Sequence, residues 1–223
     1  MQGLIGKKIG MTRVFDAHGQ QIPVTVIECG PCIVLQRKSK DCEGYDAVQL
    51  GFGDTVERRL SKPLMGTFKK INVTPKKNRR EFLLENGDDC KEGDVITVSM
   101  FEDISYVDIV GITKGKGFQG VVRRYGMAGG PKSHGGHSPR GTGAIGCGTL
   151  PGRVHKGRRM PGHMGNTRVT RQNIRVVRIS GQDNIILVKG PVPGYAGSIL
   201  SVKKSLKKKS LKKGAEDEQH SGQ

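Results

Sequence analysis

From residue 109 to residue 182 the chain contains no aspartate and no glutamate. At the chain-wide frequency of 20 acids in 223 residues, about seven would fall there. Residues 111–178 within that run carry fourteen Lys and Arg. Half of the chain's 34 glycines and four of its six histidines lie between positions 111 and 165. Such a segment cannot bury enough apolar surface to offset its ordering entropy, and it has no acids of its own to neutralise its charge. It takes one shape only against something densely negative, so it reads as an arm ordered by nucleic acid.

The rest of the chain is electrically different. Residues 1–110 carry sixteen basic and sixteen acidic side chains, so the whole net charge of +18 arises from residue 111 onward. This asymmetry describes a scaffold joined to a binding device, with a polyanion as partner. At 34% apolar residues, part of the chain can form a core, and 223 residues suffice for one substantial core or two small ones. No apolar run approaches the roughly 20 residues of a membrane span. The stretch 3–9 is short and interrupted by Lys7 and Lys8, so a secretory leader is not expected. Five irregularly spaced cysteines (Cys29, Cys32, Cys42, Cys90 and Cys147) point to reduced thiols in the cytoplasm.

The front half reads as β structure. Residues 1–15 break short apolar steps with glycine, which suggests a bent strand pair at a barrel rim. Residues 22–28 (I-P-V-T-V-I-E), 32–36 (C-I-V-L-Q) and 45–52 (Y-D-A-V-Q-L-G-F) read as strands, with Ala47, Val48 and Leu50 as core. Gly30-Pro31 turns the chain between the first two. Ser61 before Lys62-Pro63 opens a short helix to Lys70. Residues 74–80 (T-P-K-K-N-R-R) read as a basic loop, 82–84 as a short strand, 93–98 as a turn into a strand and 106–113 as a further strand. From residue 114 to 165 no period of 2 or 3.6 persists, apart from one or two helical turns over 118–125. The β pattern returns at 174–179, 184–189 and 198–202. The predicted fold is therefore mainly β with short helices. Residues 1–118 and 166–205 form the discontinuous globular part, residues 119–165 are an extended insertion between strands, and residues 206–223 are a Lys-rich, then acidic, disordered tail.

Three motifs suggest other chemistry. Cys29-Gly30-Pro31-Cys32 matches a redox dithiol, but no amphipathic helix begins at Ile33 and no Trp precedes it, so a strand–turn–strand is expected. Gly115-Lys116-Gly117-Phe118-Gln119-Gly120 matches a dinucleotide fingerprint, but the next acid is Asp183, too far on to hold a ribose. Its bare backbone between lysines suits close approach to phosphates instead. His134-x-x-His137 sits on a Gly-rich stretch with nothing to fix it and no carboxylate second shell, so no metal site is expected. Nor is a catalytic triad, a cofactor or a small-molecule substrate.

The expected contacts are those of Lys114, Lys116, Arg123, Arg124, Lys132, Arg140, Arg153, Lys156, Arg158, Arg159, Arg168 and Arg171. His134, His155 and His163 join them as donors to phosphate, ribose or base edges. No aromatic residue lies between Tyr125 and Tyr195, so recognition rests on backbone and shape rather than on stacked bases. As a hairpin, about 23 residues per limb reach at most about 75–80 Å. Composition alone leaves open a free nucleic-acid chaperone or histone-like protein, and charge does not distinguish RNA from DNA.

Several blocks in order resemble the bacterial type of the large-subunit ribosomal protein three family. They are L-I-G-K-K-I-G-M-T (4–12), A-V-Q-L-G-F-G (47–53), V-D-I-V-G-I-T-K-G-K-G-F-Q-G-V-V-R-R-Y (107–125), P-G-R-V-H-K-G-R-R-M-P-G-H-M-G-N (151–166) and V-K-G-P-V-P-G (188–194). The resemblance covers about residues 1–205. It implies a closed barrel of the translation-protein, elongation-factor-like kind with a long loop insertion. It implies binding to large-subunit ribosomal RNA near its 3′ end, neighbouring ribosomal proteins as partners, a role in nucleating assembly, no membrane and no catalysis. It also implies that the loop tip approaches the peptidyl-transferase centre. The matching positions are Gly143, Ala144, Ile145, Gly146, Cys147, Gly148, Thr149 and Leu150. Some relatives carry a methylated Gln near the tip. Here no Gln lies between Gln119 and Gln172, so that modification is not expected.

Overall fold

A computed structural model describes residues 1–85 and 90–208. In chain order its elements are β1 (Gly3–Phe15), β2 (Gln21–Glu28), β3 (Cys32–Lys38), α1 (Lys40–Glu43), β4 (Ala47–Asp54), α2 (Lys62–Lys70), β5 (Lys76–Leu83), β6 (Val95–Ile96) and β7 (Tyr106–Ile112). Then come β8 (Phe118–Gln119), α3 (Val121–Tyr125), β9 (Gly162–His163), β10 (Arg168–Ser180), β11 (Ile185–Lys189) and β12 (Ile199–Lys204). The fold is mainly β with short helices, as the sequence predicts. Six strands close an antiparallel barrel in the order β1-β12-β7-β10-β11-β2, and a second sheet runs β5-β4-β3-β6. The expected tail disorder concerns residues that, beyond position 208, lie outside the described ones.

One core serves both sheets. Leu4, Ile27, Ile109, Ile186 and Leu200 of the barrel join Val34, Val48, Leu50 and Phe82 of the second sheet in a single buried cluster. Each such side chain, fully buried, contributes about 1.5–3 kcal/mol relative to exposure. The strands with β-branched alternation lie where that alternation predicts, and Ala47, Val48 and Leu50 are wholly buried.

The strand expected at 93–98 shortens to β6 with a 3-10 turn over Val98–Phe101, β10 begins at Arg168 rather than 174, and two further elements differ more. Residues 1–15 do not form a strand pair. They give one 13-residue strand, β1, which pairs with β12 and β2 and shifts register between Lys8 and Gly10. The bulge supplies the bend that the glycines suggested. The expected loop at 74–80 is largely strand, since β5 pairs with β4 from Lys76 onward. Its inward positions are Lys76, Asn78, Arg80 and Phe82, three of them polar, so no apolar period marks it.

A buried cation fixes the barrel's edge. Lys8 is nearly buried, and its ammonium donates to Val192 O at 3.0 Å and Gly194 O at 3.1 Å. Thr25 donates to Gly190 O at 2.7 Å. Two blocks of the resemblance, 4–12 and 188–194, are thus held together by charge-assisted bonds to bare carbonyls.

The chain divides into two compact units, Met1–Ile112 with Arg168–Gln223, and Thr113–Thr167. In the first, β7 and β10 pair up to Ile112 opposite Arg168. A second bulge in β10, between Arg171 and Ile174, is held by Asp108, whose buried carboxylate accepts from Asn173 N at 2.7 Å.

Candidate nucleic-acid interface

The unit Thr113–Thr167 is a hairpin stitched mostly by its backbone. Thr113 N donates to Thr167 O at 2.9 Å, Lys116 N to Met164 O at 2.8 Å and Met164 N to Gly117 O at 2.9 Å. The strands β8 and β9 then pair Phe118 with His163 and Gln119 with Gly162. At Gly165, φ is +79° and an added Cβ would lie 2.1 Å from Lys114 O, so only glycine lets the limbs meet there. α3 ends on Gly126 in the left-handed conformation.

Farther along, side chains take over. Arg124 donates to Met160 O at 2.7 Å, and its guanidinium lies 5.0 Å from the Tyr125 ring centroid. Arg159, from the other limb, lies over the same ring at 5.5 Å. One phenol therefore holds two cations in place. Arg158 donates to Ala144 O. Residues 144–147 and 155–159, with Met127, line an open groove of about 540 Å³. The structure thus brings His155, Lys156, Arg158 and Arg159 beside Ala144, Ile145, Gly146 and Cys147. Gly143, Gly148, Thr149 and Leu150 lie outside that groove, and Leu150 is 86% exposed.

The other predicted residues are more dispersed. Lys132 and His134 belong to a side loop closed at its neck by Gly130 N donating to Pro139 O at 3.0 Å, and Arg140 follows that neck. Among the described residues Arg123 reaches only Gln119 Oε1, at 3.4 Å. Lys114 and Lys116 flank the stem, and His163 is on β9. Arg153 follows the predicted tip. Arg168 and Arg171 sit on β10, in the barrel unit. Of these fifteen residues only Arg124 is half-buried, and the rest are exposed. Among the described residues none of the fifteen forms an ion pair.

One residue escaped the sequence reading. Phe118 is 77% exposed, which leaves an aromatic face open between the lysine-bearing glycines and α3. The signal was there, since a Phe set among Gly115, Gly117 and Gly120 has few bulky neighbours in sequence to bury it.

The two thiols of Cys29-Gly30-Pro31-Cys32 are fully buried between β2 and β3. Burial pushes the Cys29 thiol far above its ordinary range and Cys32 up to about 11. A redox dithiol requires the opposite shift.

A model of the family described as Ribosomal protein L3 matches residues 82–184. Over 213 residues the chain is 46% identical to the large ribosomal subunit protein uL3 of Brachyspira pilosicoli, with 96% of this chain and 98% of that protein aligned. The corresponding protein of Petrotoga mobilis is 47% identical over 212 residues, with 95% and 99% aligned. The chain belongs to the uL3 family. As a uL3 protein it is a structural constituent of the large subunit of a bacterial-type cytoplasmic ribosome, not an enzyme.

Proposed function

We propose that this uL3 protein binds large-subunit ribosomal RNA directly, near its 3′ end, and helps nucleate subunit assembly. Residues 119–165 are the RNA-ordered arm on a scaffold of residues 1–118 and 166–205. The arm extends toward the peptidyl-transferase centre with residues 143–150 at its tip. The fifteen predicted residues contact the RNA, and neighbouring large-subunit proteins pack around the scaffold.

The observation that carries this reading is the pairing of exposed cations with an absence of acids. From Lys114 to Arg171 every Lys and Arg but the half-buried Arg124 is exposed on a backbone thinned by glycine, and no carboxylate in that span competes for them. Phosphates supply the missing charge, and glycine lets the backbone come close to them. The groove beside residues 144–147 places four donors next to the proposed tip. The conjunction of arm, barrel and uL3 membership favours ribosomal RNA over a free chaperone role.

The test is a salt series on the full chain with a transcript of the 3′ domain of large-subunit ribosomal RNA. If about half of the fourteen cations meet phosphates, log K falls against log salt with a slope near −5 to −6. A salt-insensitive affinity sinks the reading. Crosslinking from residues 143–150 in assembled particles should reach catalytic-centre RNA, and crosslinks confined to surface RNA would refute the tip assignment.

A further inference from the structure

On the barrel unit, strands of both sheets border a cleft of about 310 Å³. Arg80 enters it from β5, Arg168 from β10, and Ser201 and Lys203 from β12. The half-buried Arg80 guanidinium donates to Ser201 Oγ at 2.6 Å and to Ile199 O at 3.5 Å, both neutral acceptors. One carboxylate, Glu81, also lines the cleft, and it is already paired with Lys38 at 2.8 Å. Among the described residues no carboxylate meets Arg80, Arg168 or Lys203. Burial, and after it the like charge of Arg168, lowers the Arg80 guanidinium from its ordinary value. Lys203 is steadied over the Phe82 ring, 5.9 Å from its centroid. The fold therefore holds three like charges around one concave space, an arrangement that an anion turns from repulsion into attraction.

We propose that this cleft is a second RNA site, on the barrel, that takes one backbone phosphodiester of ribosomal RNA between Arg80, Arg168 and Lys203. It rests on the reading that the chain binds large-subunit RNA. Two features favour a phosphodiester over an acidic protein segment. The wall formed by Gly111 and Arg168 belongs to the acid-free run, so RNA that follows that run meets the cleft where the insertion leaves and rejoins the barrel. A phosphodiester also spreads its charge over two non-bridging oxygens on a tetrahedral centre, which two guanidiniums and an ammonium can approach from different directions. Arg80 and Lys203 lie outside the run, so composition gave no reason to single them out.

The test uses the full chain and the same 3′-domain transcript across a salt series. Arg80→Gln and Lys203→Gln, each checked by thermal melting, should each reduce the magnitude of the salt slope by about one. The double variant should lose no more than about one, because both cations act on a single phosphate. Should Arg80→Gln fail to fold, Lys203→Gln decides alone. A wild-type slope in the folded variants overturns this site and leaves the arm's role standing. A wild-type protein whose affinity ignores salt brings down RNA binding itself, and this site with it. If poly-glutamate displaces RNA from the wild type but not from Arg80→Gln, the cleft belongs to an acidic protein segment and the phosphodiester assignment is wrong.

Discussion

The barrel unit and the insertion are made on opposite principles. Among the described residues, Thr113–Thr167 contributes a single buried hydrophobic side chain, Val121, and the other core residues all belong to the barrel unit. The barrel unit contains every described ion pair, while the insertion has no acid with which to make one. The barrel is stabilised by removing apolar surface from water. The insertion is held by backbone bonds at its root, by two guanidiniums on Tyr125 and, in the proposed complex, by RNA. A chain can thus divide the work of folding from the work of binding, and net charge marks the division.

Cysteine labelling gives the largest expected contrast. Cys147 is exposed in the insertion, whereas Cys29 and Cys32 are buried in the barrel unit. Under native conditions Cys147 should react with a thiol reagent about a thousand-fold or more faster than Cys29 or Cys32, which react only on opening. Comparable rates, read by mass spectrometry of labelled peptides, would mean that the barrel opens as readily as the insertion.

Removing the buried ammonium should cost less but still be plain. Lys8→Met keeps the stem and deletes both bonds to residues 192–194, so it should destabilise the chain by about 1.5–3 kcal/mol in a denaturant titration. An unchanged midpoint would show that the clamp is dispensable. Arg158→Ala with Arg159→Ala should do the reverse. It should shift stability by less than about 0.5 kcal/mol, as surface changes do, while lowering the magnitude of the RNA salt slope by about two. A large fall in melting temperature would place the insertion within the cooperative core.

Acid should produce the smallest effect, confined to the barrel unit. Lys38 holds Glu81, Lys76 holds Asp54 and Lys204 holds Glu85, each carboxyl below its ordinary range. Groups depressed in the folded state stabilise it above their unfolded values near 4, and that stability is lost as pH falls through the lower folded values. Because the three carboxylates lie at the surface, melting should drop by only about 1–3 °C below pH 4. A drop centred well above pH 4 would show that these three pairs are not its source.

Most of the barrel was legible because its strands announce themselves with β-branched alternation, as at 22–28 and 184–189. β5 was not, because Lys76, Asn78 and Arg80 occupy the inward positions that apolar residues usually mark. The continuity of β1 was hidden for a related reason. Glycine reads as a break, yet Gly3 and Gly6 sit in close packing where an added Cβ would come within 3 Å of other atoms. The insertion's cations were visible as a run without acids. Their grouping was not, because the meeting of Arg159 with Tyr125 and of Arg158 with Ala144 depends on how the limbs fold back. The Arg80 cleft needs strands far apart in sequence to converge, which no local pattern encodes.

The pairing of Ile112 with Arg168 makes the insertion a cassette. Both of its ends are set by one rung of the β7–β10 ladder, so the barrel sees only a hairpin closure. Closure entropy grows with the logarithm of loop length, about 0.6 kcal/mol per doubling, so the scaffold is nearly indifferent to what is spliced between those two residues. An insertion so mounted is free to lengthen, shorten or change sequence in step with the RNA it is proposed to enter, while the barrel that carries it keeps the same strands.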